Sequence, residues 1–76
     1  MANLLASRVE ETLRPVIGSV LASVSVDIES RRLGKTTDTL EFADLPRMAD
    51  NLVNALHLVV GVDMANAAAR KVRDLR

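Results

Sequence analysis

The segment Leu45 to Gly61, LPRMADNLVNALHLVVG, limits the possible folds more than any other stretch of the chain. Leu45, Met48, Leu52, Ala55, Leu56 and Val59 recur at helical spacing and form one apolar face. Ala49, Val53, Leu58 and Val60 widen that face until Arg47, Asp50, Asn54 and His57 are the polar remainder. A helix apolar over so much of its circumference is covered on more than one side. It belongs at the centre of a small helical assembly, with part of it facing another subunit. Leu52, Leu56, Leu58, Val59 and Val60 are the expected interface residues. Leu58 leads them because it lies furthest from the main stripe.

Size leads to the same expectation. The 76 residues make one domain, 1–76, and a domain this short buries only about 60% of its unfolded surface. Small domains usually carry a staple. Cysteine is absent, and His57 is the single histidine, so neither a disulfide nor a histidine-based structural zinc site can form within one chain. A homodimer is therefore expected. Ten basic and ten acidic residues cancel, which leaves no long-range field to draw nucleic acid or an anionic membrane and favours self-association. No stretch approaches the roughly 20 apolar residues of a membrane span. MANLLASRVEE lacks the basic start and apolar run of a signal peptide, and the cytoplasm is the expected location.

No linker, internal repeat or low-complexity tract is visible. Asn3 is placed to cap a helix on which Leu5, Val9 and Leu13 form a stripe, and Pro15 ends or kinks it. Residues 16–33 admit two readings. Ala22 to Glu29 alternates as a strand would, but Ile17, Val20, Leu21, Val24 and Ile28 form a longer helical stripe opposite Ser19, Ser23, Asp27, Ser30 and Arg31. Arg31, Arg32 and Gly34 then supply the cations and glycine of a helix end. Leu40 and Phe42, in the polar connector that follows, are expected to tuck under the fold. Asp44 and Asp63 are the expected caps of the last two helices, and Met64, Ala68, Val72 and Leu75 the inward stripe of the final one. The fold expected is all-α with four helices, near 3–15, 16–33, 44–60 and 63–76, with a single helix kinked at Pro15 as a variant for the first two. The alternative is α+β, with a short strand near 20–29.

Chemistry is sparse. Asp50, Asn54 and His57 share a polar strip, but no nucleophile accompanies them, and His57 reads as an ordinary surface histidine. Asp38, Glu41 and Asp44 could gather a cation, yet they lack the alternating ligands and turn glycine of a calcium loop. No phosphate-binding glycine motif occurs. No catalytic residue, cofactor or metal is expected. Arg70, Lys71, Arg73 and Arg76 are possible nucleic-acid contacts, but cations at a helix C-terminus are also explained by its dipole. The function expected is a non-enzymatic protein-interaction or regulatory module acting as a homodimer. The alternative is a small nucleic-acid-associated regulator using the C-terminal basic cluster.

Overall fold

The computed structural model describes residues 3–75. These are all-helical, with no strand among them: α1 spans Leu4–Arg32, α2 Leu45–Val60 and α3 Val62–Arg73, and a 3-10 turn over Phe42–Asp44 leads into α2. The all-α class holds, and the stretch read two ways is helical as far as Arg32, with a bend at Gly18. The four expected helices are three, because the first two form one element.

That element is not straight. A straight helix of 29 residues would run about 43 Å, yet the longest dimension of the whole molecule is 29 Å. The bend lies at Gly18, where φ is 84° and ψ 165°, and Pro15 stays within the helix. This backbone region is essentially restricted to glycine. Pro15 removes one backbone donor but keeps a helix-compatible φ; Gly18 alone can turn the chain out of the helix. Its two arms, residues 4–17 and 19–32, therefore run in different directions.

Gly61, between α2 and α3, adopts the same conformation, with φ 88° and ψ 163°. The match extends along the chain and exposes a repeat hidden in the sequence. Before the two glycines, Leu5 and Met48, Ala6 and Ala49, Val9 and Leu52, and Leu13 and Leu56 are buried in matching positions. After them, Ala22 and Ala65, Val26 and Ala69, and Glu29 and Val72 match as well. The molecule is thus two helix–glycine–helix units offset by 43 residues. Their inner faces, joined by Leu40 and Leu45, form one core.

The helix ends are local chemistry. Asn3 caps α1 by accepting the Ala6 N–H at 2.8 Å, and its own amide donates to the carbonyls of Leu40 at 2.9 Å and Asp38 at 3.2 Å. At the other end Gly34, at φ 74°, lets its N–H reach the Arg31 carbonyl while the Lys35 N–H reaches that of Ser30. This pairing satisfies two carbonyls that the last turn leaves open. Asp44 occupies the expected cap position of α2 but makes no side-chain capping bond; its carboxylate accepts the Glu41 N–H at 2.9 Å inside the 3-10 turn. Asp63 likewise sits within the first turn of α3, and Gly61 occupies the cap position. Leu40 is buried as expected, but Phe42 is exposed.

Candidate interaction surface

The largest departure from expectation is the direction in which the 19–32 arm faces. Its most apolar stripe, Val20, Leu21, Val24 and Ile28, points to solvent, with Val20 74% and Val24 46% exposed. The core-facing positions are instead Ala22, Val26, Glu29 and Ser30. At about 100° per residue the two sets lie on opposite sides of the helix. The arm therefore turns a mixed face towards the core, Ala22 and Val26 with Glu29 and Ser30, and an apolar face away from it.

A second apolar surface surrounds the Gly61 corner. Leu58 is 85% exposed, and Val59, Val62 and Met64 are exposed beside it. Of the residues expected at an interface, Leu58 and Val59 lie on the surface and Val60 packs partly against the core. Leu52 and Leu56 are buried in the protomer's own core and drop out of any contact surface. The face of α2 that buries Leu45, Met48, Ala49, Leu52 and Leu56 leaves Ala55 exposed. On α3 the inward positions are Ala65, Ala68, Ala69 and Val72; Met64, expected among them, faces out. Alanine at these positions lets α3 lie close to its neighbours, and a methionine there would hold it off.

Asp50, Asn54 and His57 do not converge. The Nδ1–H of His57 donates to the Asn54 carbonyl at 2.9 Å within its own helix. Asp50 is engaged elsewhere, its carboxylate 2.6 Å from the Arg73 guanidinium. Asn54 is exposed. The acidic residues of the connector gather a lysine: Lys35 Nζ lies 3.4 Å from Glu41 and 3.6 Å from Asp44. Among the described residues no group of three or more His, Asp or Glu side chains converges on a point where a metal could sit. No helix is long and apolar enough to cross a membrane, again among those residues.

Of the basic residues near the C-terminus, Arg73 is held by Asp50, while Arg70 and Lys71 are exposed and form no ion pair among the described residues. Arg76 lies outside the described residues. Arg70 and Arg73 border an open cleft of about 250 Å³ between α2 and α3, which Asp50, Val53, Asn66 and Ala69 complete. The cleft is shallow, and one of its two cations is already neutralised.

Among the described residues Glu29 is the one ionisable group in the core. It is 2% exposed, its Oε1 has no hydrogen-bond partner, and its other oxygen is 3.8 Å from the Arg32 guanidinium. Burial raises its pKa above the ordinary carboxylate value, and the nearby Arg32 charge offsets part of that rise. Sequence reading missed this residue because Asp27 and Glu29 both look like solvent-facing acids. Only the inverted orientation of the arm puts one of them inside.

No family model, curated protein or solved structure matches this chain.

Proposed function

We propose that the chain is a non-enzymatic interaction or regulatory module that acts as a homodimer. The observation that carries this reading is that the core closes without Val20, Leu21, Val24, Ile28, Leu58 and Val59, which stay exposed. Fully burying one such side chain is worth about 1.5–3 kcal/mol. A contact that hides even half of this surface supplies several kcal/mol against the cost of association. A second copy is the favoured occupant because the chain carries no net charge, so two copies meet without mutual repulsion. The polar groups support no catalytic role, since His57 and Asp50 are each engaged with different partners.

Light scattering across a wide concentration range tests the proposal. The expected mass is twice that of the protomer; a protomer mass that persists at high concentration overturns it. A second reading, a nucleic-acid-associated regulator, rests on the unpaired Arg70 and Lys71. It predicts duplex binding that weakens steeply with salt, each neutralised phosphate adding about 0.9 to the slope. Self-association through apolar surface has no such slope.

A further inference from the structure

We infer that the centre of the homodimer contact is the outer face of the 19–32 arm, packed against the same face of a second copy. This rests on the homodimer reading and adds the surface to it. The stripe has the spacing of a helix-pairing seam. Leu21, Val24 and Ile28 are separated by three and four residues, the alternation that keeps apolar side chains facing a partner helix. All three are exposed, and Val20 widens the face beside them.

The second unit serves as an internal control. It has the same glycine corner and the same buried register, so its residues show what the fold requires at each position. The counterparts of Val20, Val24 and Ile28 are Asp63, Ala67 and Lys71, all exposed. The fold therefore accepts an acid, a small residue and a base where the first unit has three branched apolar residues. The Gly61 corner does not stand out in this way. Leu58 and Val59 match Pro15 and Val16, and Met64 matches Leu21, so both units are apolar at these three positions, and only Val62 has a polar counterpart, Ser19.

The rim of the seam fits a copy of itself. An isologous contact sets the same patch on both subunits against itself, and only residues at its centre, here Val24, meet their own equivalents; a rim of one charge sign would therefore repel. Here the rim holds the uncharged Ser19 and Ser23, the Asp27–Arg31 pair at 3.2 Å and, on the other side, Arg32 3.8 Å from Glu29. The rim is therefore not of one sign, and each of its charges already faces an opposite group within the protomer.

The test exchanges one surface for the other. Val20→Asp, Val24→Ala and Ile28→Lys together write the second unit's surface onto the first. The expected result is a protein that stays helical by circular dichroism but shifts to the protomer mass, its self-affinity reduced at least tenfold. Because the chain has no cysteine, single-cysteine variants give an independent readout that does not depend on the triple variant folding. Val24→Cys should form a disulfide-linked dimer on mild oxidation, since a bridge needs Cα atoms within about 7 Å; Leu58→Cys should not. A dimer in which Leu58→Cys cross-links and Val24→Cys does not overturns the inference and leaves the homodimer reading standing. A wild type that remains at the protomer mass overturns both.

Discussion

Glu29 and Val72 occupy the same place in the two units, the eleventh residue after the glycine, and both are buried. In the second unit the slot holds an ordinary apolar side chain; in the first it holds a carboxylate with an unpartnered oxygen. The outer faces differ in the opposite sense. There the first unit presents Val20, Val24 and Ile28, and the second Asp63, Ala67 and Lys71. The first unit is thus more polar inside and more apolar outside than its counterpart. One backbone design accommodates both choices, so neither is dictated by the corner itself. The difference separates what the fold needs, a glycine turn and a matched inner register, from what these residues add to it.

The most demanding test of equivalence between the units lies in that inner register. Leu13→Ala and Leu56→Ala remove the same buried leucine from each, and each should cost about 2–5 kcal/mol in chemical denaturation. A large loss at one and almost none at the other would show that the two units do not share the core equally. The glycine corners come next. The Cβ of Gly18→Ala or Gly61→Ala would meet open space, so the penalty is backbone strain alone, about 1–3 kcal/mol at each. D-alanine introduced by synthesis should restore most of it, because its mirrored preference accepts a positive φ.

Glu29 gives the next effect. Its carboxyl is raised in the fold, so its contribution to stability is fully present below the unfolded value of 4.5 and is lost as pH rises through the higher native value. Glu29→Gln should flatten the pH dependence in the window above 4.5. Glu29→Met, closer to the apolar choice of the second unit, should raise stability at pH 7 by about 1 kcal/mol or more. A variant less stable than wild type at that pH would show that the Arg32 pairing outweighs the burial. The smallest effect is expected at another matched pair, Arg14→Ala and His57→Ala. Each should change stability by less than about 1 kcal/mol, and His57→Ala should leave self-association intact.

Much of the fold can be read from residue spacing. The Leu5, Val9 and Leu13 stripe, the Asn3 cap, the glycine stop after Arg32 and the helical nature of 16–33 all follow from local preference, and the structure agrees. Proline announces a break by itself, so the sequence alone points to Pro15 for the bend. Gly18 becomes informative only when its backbone is seen to match that of Gly61. The orientation of the 19–32 arm was hidden for a different reason. A large apolar stripe normally marks the core, but close packing in this core favours small residues, among them Ala6, Ala22, Ala49, Ala65 and Ala68. The candidate surface was thus visible as a pattern in Val20, Leu21, Val24 and Ile28, but not as a surface. Likewise Leu58 stood out on the circumference of its helix, while Leu52 and Leu56 were absorbed by contacts made only once the units meet.

Asn3 links two parts of the chain that local preference would leave independent. Its side chain holds the first turn of α1 with one oxygen and the carbonyls of Asp38 and Leu40 with its amide, while its backbone N–H reaches the Thr37 carbonyl at 2.9 Å. The start of α1 is therefore completed only after the chain has travelled through both arms and returned along the connector. In folding, this makes the first residues of the helix among the last to be secured, since the loop that closes them is long and its entropy is lost before the bonds form. In the native state it makes the first turn and the connector open together. The Asn3 and Ala6 amides should then exchange with solvent at matched rates, and cutting the connector should accelerate both.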